Sequence, residues 1–168
     1  MPLDRLWAGW RAPYLDEVTG DAPRPEECLF GRLAAADPDE AFVVARDDRA
    51  FVVLNAYPYT SGHVMVAPLA HVGDLEALSP DDATALMHLT QRAAAAVKRA
   101  YSPDGLNVGV NLGAAAGAGV PGHLHVHVVP RWNADTNFMT TVAETRVLPE
   151  SLADTLVRLR EAWATVTP

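Results

Sequence analysis

Cysteine is nearly absent from this chain: Cys28 stands alone, which excludes an internal disulfide and suits a reducing cytosol. Positive charge is also in short supply. Thirteen Lys and Arg against 21 Asp and Glu leave a formal net charge of −8, so most of the surface repels a polyanionic duplex. A phosphate-bearing partner has to be bound locally, and binding to nucleic acid is not expected. Long apolar runs are missing as well. The opening "MPLDRLWAGW" interrupts its apolar residues with charges and tryptophans where a signal peptide needs a continuous stretch, and no later run approaches membrane-spanning length. The expectation is a cytoplasmic protein with no membrane partner. With 49% hydrophobic residues among 168 and no long low-complexity tract, the chain suits one compact domain with a sizeable core, and no second domain is expected.

What is present reads as alternating strands and helices. Residues 1–40 are irregular in pattern, with "GDAPRPEE" marking a turn-rich loop, and form an expected N-terminal arm pinned by Trp7, Trp10 and Tyr14. A single domain is expected over residues 41–168. "AFVVAR" and "RAFVVLN" are β-branched runs joined across Asp47 and Asp48, a hairpin signal, and "GHVMVAP" reads as a third strand. Residues 79–101 begin with Ser79 as N-cap, Pro80 at the first helical position and acids in the first turn, which predicts a helix. Its stripe of Leu86, Leu89, Ala93 and Val97 should face the core. "LNVGVNLG" and "HLHVHVVP" add two strands separated by the small-residue loop "GAAAGAGVPG", and Leu152, Leu156, Leu159 and Trp163 recur at helical spacing after Pro149. The order predicts an α+β fold with a mostly antiparallel five-stranded sheet, a central helix and a C-terminal helix.

Three of the six histidines lie two apart in "HLHVHVV", a pattern that random placement would produce with a probability of roughly 0.01. On a strand, His123, His125 and His127 share one face while Leu124, Val126 and Val128 share the other. The apolar set can pack on a helix; the imidazoles must meet something polar. Aligned solvent-facing histidines are the bland alternative, yet protonated neighbours about 7 Å apart would disfavour one another. Two chemistries remain open at this point, metal ligation and nucleophilic or acid–base work by imidazole itself. The loop before the triad favours the second, because glycine and alanine let backbone N–H groups approach an anion closely.

These residues resemble the histidine triad (HIT) superfamily. "HLHVHVV" matches its His-φ-His-φ-His-φ-φ signature, and "LNAYPYTSGHVMVAP" is similar to the family's upstream strand–turn–strand segment, with Asn55 eight residues before His63. "NVGVNLG", "HVVPRW" and "NFM" look most like the bacterial diadenosine tetraphosphate phosphorylase branch, close to the fragile histidine triad hydrolases; likeness runs roughly from residue 40 to 150, with a weaker echo in "WRAPYL". The resemblance implies a HIT-like fold, a homodimer, and an enzyme that binds adenine nucleotides or dinucleoside polyphosphates and acts on the α-phosphate. By the same resemblance His125 is the nucleophile that forms a nucleotidyl–imidazole intermediate, and His127 assists the leaving group. His123 and His63 form a supporting hydrogen-bond chain, Asn55 meets the ribose, and Asn111 with Gly117 and Gly119 of the 113–119 loop meets phosphate oxygens. Leu54, Phe42 and Val44 are the implied base-facing wall. No divalent metal is required by this chemistry, and no cofactor is expected.

Two departures from the family pattern matter. Many hydrolase relatives carry Gln followed by Ser or Thr before the triad, where this chain has Ala118 and Gly119 and one extra residue. A group that would orient water or the leaving group is missing, which favours inorganic phosphate as acceptor. Some bacterial relatives also carry a Cys-x-x-Cys zinc site completed by two histidines. Here Cys28, His71 and His123 survive while Gly31 replaces the second thiolate, so no zinc is expected and Cys28 reads as a small buried hydrophobe. Three function classes follow: cleavage of dinucleoside polyphosphates by phosphorolysis or hydrolysis, a nucleoside phosphoramidase, and a nucleotide-binding module with little turnover.

Overall fold

The computed structural model describes residues 28–135 and 150–167; Trp7, Trp10, Tyr14 and the "WRAPYL" and "NFM" segments lie outside them. The elements run α1 (Leu29–Ala35), β1 (Val43–Arg46), β2 (Ala50–Leu54), β3 (Val64–Pro68), α2 (Pro80–Tyr101), β4 (Gly105–Val110), β5 (Val126–Arg131) and α3 (Leu152–Trp163). The five strands form one sheet in the order β1-β2-β3-β5-β4, antiparallel at every pairing. This is the α+β architecture expected from the sequence.

Local chemistry explains the elements. Asp47 closes the β1–β2 hairpin by accepting from the Arg49 and Ala50 amides at 2.8 and 2.7 Å, the short-range bonding that suits Asp to turns. Ser79 caps α2 by accepting from the Asp82 amide at 3.1 Å, with Pro80 in the first turn. Ser151 caps α3 in the same way through Asp154. The guanidinium of Arg160 donates to the Val43 carbonyl at 2.7 Å, tying α3 to β1.

The centre of the sheet is covered on both faces, which is why β2 and β3 are apolar throughout instead of alternating with polar residues. Val52, Leu54, Val64, Val66, Val126 and Val128 pack against Leu86, Leu89, Ala93 and Val97 of α2 and Leu156 and Leu159 of α3. The other face carries Val43, Phe51, Val53, Met65 and Ala67, packed with Cys28 and Phe30. That second layer contains α1, inside the segment expected to be an irregular arm. It has no side-chain cap and no acid in its first turn, so burial of Phe30 and not helix propensity accounts for it.

No helix among the described residues is long and apolar enough to cross a membrane. Leu89, 5% exposed beneath the sheet, should on replacement by Ala lower the unfolding free energy by about 2–5 kcal/mol. The exposed Gln91 on the opposite side of α2 should change it by less than about 0.5 kcal/mol on the same replacement; urea unfolding of both variants checks the facing of the helix.

Candidate active site

The parity of β5 delivers the histidines. Met65 pairs with His127 and Val53 with Met65, so these side chains share one face, while Val64 and Val128 pair on the helix side. His123 and His125 precede the regular ladder, but Leu124 still enters the helix-side core, so the alternation expected from the sequence continues through the triad. His63, at the start of β3, is brought to the same place. His63, His123 and His125 are buried at 1%, 1% and 4% exposure, and His127 is half-buried.

The hydrogen bonds assign the ring protons. The Tyr59 amide donates to Nδ1 of His63 at 3.1 Å, so the proton of neutral His63 lies on Nε2. That nitrogen is 3.0 Å from Nδ1 of His127, which therefore accepts, leaving the His127 proton on its own Nε2. His125 is arranged in the opposite sense: its Nδ1–H donates to the His123 carbonyl at 2.8 Å, and Nε2 keeps its lone pair. Burial is the main influence on His123 and His125 and holds both below the ordinary imidazole range, with a backbone hydrogen bond partly opposing it. Both are neutral near pH 7.

The other expected site residues divide. Asn55 is next to the histidines: its Oδ1 accepts from the Tyr57 amide at 2.9 Å and its Nδ2 lies 3.4 Å from Nδ1 of His63. Asn111 donates to the Gly117 carbonyl at 3.3 Å, closing the loop before the triad. Within that loop the amides of Ala116, Gly117 and Ala118 donate to the Gly113 and Ala114 carbonyls, so three of the N–H groups expected for an anion are spent internally. Gly119 follows, partly exposed. Leu54 and Val44 are not brought to the histidines. Both belong to the helix-side core, and Phe42 packs against that core. Strand parity instead puts Phe51, Val53 and Met65 on the histidine face.

Two aromatic neighbours were not foreseen. The Phe30 ring lies 4.7 Å from that of His125 and 5.2 Å from that of His123. The Tyr59 ring lies tilted at 4.7 Å from that of His63 and stacks at 6.1 Å on that of His127. Phe30 sits in a segment whose sequence carries no periodic signal. Tyr59 sits in the loop before His63, where the asparagine and the histidine drew attention first.

A second cluster adjoins the triad. His123 donates Nε2–H to the Pro68 carbonyl at 2.8 Å, which turns its bare Nδ1 toward the Cys28 sulfur, 3.2 Å away. The ligating atoms of Cys28, His71 and His123 all lie within 4.8 Å of one another. A thiolate and two imidazoles, one oriented by a backbone carbonyl, fit three vertices of a tetrahedral ion. Gly31, one helical turn beyond Cys28, has no atom for the fourth. The three donors expected to survive are thus brought together, and Cys28 is fully buried, as expected.

A family model for the HIT domain matches residues 38–134. The chain belongs to the HIT family. Among relatives of this HIT protein, the AP-4-A phosphorylase of Mycobacterium tuberculosis strain H37Rv is 41% identical over 167 residues, covering 96% of this chain and 85% of that one. The asymmetrical bis(5'-nucleosyl)-tetraphosphatase of Schizosaccharomyces pombe is 32% identical over 111 residues, 66% of this chain and 58% of that one. A zinc-bound histidine triad family protein from Mycobacterium smegmatis superposes with a TM-score of 0.68 at 28% identity, covering 84% of this chain and 96% of that structure. The fourth vertex supplies a test of the three-donor cluster in this HIT protein. Chelator competition should find weak, readily removed zinc in the native protein and tighter zinc after Gly31→Cys, since an added thiolate completes the tetrahedron. Equal affinity in the two proteins would exclude this geometry for the site.

Proposed function

We propose that this HIT protein cleaves dinucleoside polyphosphates at the α-phosphorus through a nucleotidyl–His125 intermediate, with inorganic phosphate as the preferred acceptor. The observation that carries the reading is the hydrogen bonding of adjacent rings, which leaves a bare nitrogen on His125 beside an N–H on His127, the two rings 4.9 Å apart. One suits attack on phosphorus and the other suits a hydrogen bond to the departing oxygen.

In the first step the Nε2 lone pair of His125 forms a bond to the α-phosphorus, and the bond from phosphorus to the bridging oxygen breaks. The polyphosphate leaves with the electron pair, its oxygen hydrogen-bonded by His127. In the second step an acceptor oxygen attacks phosphorus, the P–N bond breaks, and the pair returns to His125. Water gives a nucleoside monophosphate and phosphate gives a nucleoside diphosphate. His123 contributes its carbonyl, and His63 fixes the His127 tautomer. Asn55 retains one amide N–H and one oxygen lone pair beyond its described bonds for a ribose hydroxyl. Asn111, Gly117 and Gly119 border the phosphates.

Two features support phosphate as acceptor. Ala118 and Gly119 offer no side chain to orient water, and Ala118 is buried with its amide already spent. The likeness to the M. tuberculosis phosphorylase also extends over nearly the whole chain. The reading includes a cytoplasmic homodimer, supported by the exposed Val108 on edge strand β4 and the exposed Met87 on α2.

Diadenosine tetraphosphate with millimolar labelled phosphate should yield labelled ADP together with ATP, and cleavage should slow markedly when phosphate is omitted. Accumulation of AMP at an unchanged rate, with no label in ADP, would replace phosphorolysis by hydrolysis. His125→Ala should abolish turnover while leaving nucleotide affinity within about tenfold, because no neighbour can form the P–N bond. His127→Ala should slow the first step by about 10² to 10⁴. Stopped-flow detection of the intermediate distinguishes the two losses; an intermediate formed by His125→Ala would exclude the assignment.

A further inference from the structure

The backbone just before the His63–His127 hydrogen bond packs against a wall that lies outside the triad. Gly62, immediately before His63, has φ +83°, and a Cβ there would lie 2.6 Å from Cε2 and 2.8 Å from Cδ2 of Tyr101. The Tyr101 ring, at the last residue of α2, is therefore packed directly on the Gly62 backbone. A side chain at residue 62 would collide with it. The far end of the same ring is held by α3 and the residue before its cap. Tyr101 donates its hydroxyl to Glu150 at 2.5 Å. Glu150 also accepts from Thr155 at 3.1 Å and pairs with Arg158 at 3.0 Å. The Arg158 guanidinium sits 5.2 Å from the Tyr101 ring centroid, and Trp132 meets that ring edge-on at 6.4 Å.

We propose that Tyr101, clamped by Glu150 and Arg158, is a positioning residue that seats Gly62 and thereby holds His63 at hydrogen-bond distance from His127. The chain of contacts is continuous. Tyr101 fixes the place of Gly62; the carbonyl of His63 accepts from the Asn55 amide at 3.1 Å, and its Nδ1 accepts from the Tyr59 amide. Thr60 anchors the same loop to β5 by donating to the Pro130 carbonyl at 2.8 Å. On the open side of the loop, the wall is the phenol. Burial first, and then the Glu150 carboxylate, push the Tyr101 hydroxyl well above its usual range, so it remains a donor throughout the working pH range. Without the clamp the ring can swing away, Gly62 gains room, and the 3.0 Å contact between His63 and His127 loses its backing. The His127 proton is then no longer confined to Nε2.

The consequence for catalysis rests on the function proposed above, but the positioning itself does not. Long-range hydrogen–nitrogen NMR correlation on the full-length protein, with histidine nitrogens labelled, reports which ring nitrogen carries each proton. Wild type should show His63 and His127 protonated on Nε2. Tyr101→Leu removes the wall, and Tyr101→Phe keeps the ring but loses the bond to Glu150. Both should shift the His63 and His127 nitrogen signals toward mixed tautomers, with the larger effect in Tyr101→Leu, while the His125 signals stay in place. In the same proteins kcat for diadenosine tetraphosphate should fall by about tenfold or more in Tyr101→Leu with KM within about threefold, as expected for a misplaced proton donor. If Tyr101→Leu fails to fold, Tyr101→Phe decides, because it preserves the ring's volume. Wild-type His63 and His127 signals in folded Tyr101→Phe overturn the proposal. A wild-type protein that forms no nucleotidyl intermediate sinks the functional reading instead, and the nitrogen signals still decide the clamp.

Discussion

Val126, His127 and Val128 of β5 are committed alternately to two covered faces, and the rest of the molecule is arranged around that commitment. Val126 and Val128 close the core beneath α2 and α3, while His127 faces the layer that holds α1 and the loop before β3. A register slip of one residue would put imidazoles among leucines and valines among hydrogen-bond donors. The cost of burying unpaired imidazoles makes such a slip strongly unfavourable. The same alternation that stabilises the sheet thus selects the rings that meet.

Once buried, those rings can remain polar only if each nitrogen has a defined role. The structure meets this demand with backbone groups. A carbonyl takes the Nδ1 proton of His125, another takes the Nε2 proton of His123, and an amide occupies Nδ1 of His63. Backbone partners do not titrate, so their own donor and acceptor roles are the same at every working pH. Low polarity around the triad then keeps His123 and His125 uncharged, which is the state in which a ring nitrogen can act as a nucleophile or a ligand.

Much of this was legible in the sequence because it is written in local rules. Ser79 and Pro80 announce the start of α2, Leu86, Leu89, Ala93 and Val97 announce its inner face, and the period of two separates the triad from its apolar partners. The unforeseen parts depend on tertiary contacts. Helix α1 has Gly31 in its middle and no cap, so nothing local distinguishes it from a loop; it exists because Phe30 has imidazoles and Phe51 to pack on. Leu54 packs on the helix side and Val53 on the histidine side, a parity that only the register with Met65 and His127 resolves. The small-residue loop reads as a row of amide donors, but its own turn uses several of them. Tyr101 and Glu150 are 49 residues apart, and no spacing in the chain predicts their meeting.

His125 and His127 are oriented over very different distances along the chain. His125 takes its orientation from a carbonyl two residues away, whereas His127 takes its orientation from His63, 64 residues away. The first arrangement is contained in a tripeptide and persists wherever that short extended segment persists. The second exists only while β3, β5 and the loop between Asn55 and His63 are assembled together. Breathing motions of this loop therefore act unequally, disturbing the His63–His127 hydrogen bond well before they disturb the orientation of His125. The chemistry is in this sense modular, with a robust half that the backbone builds locally and a fragile half that only the completed fold can supply.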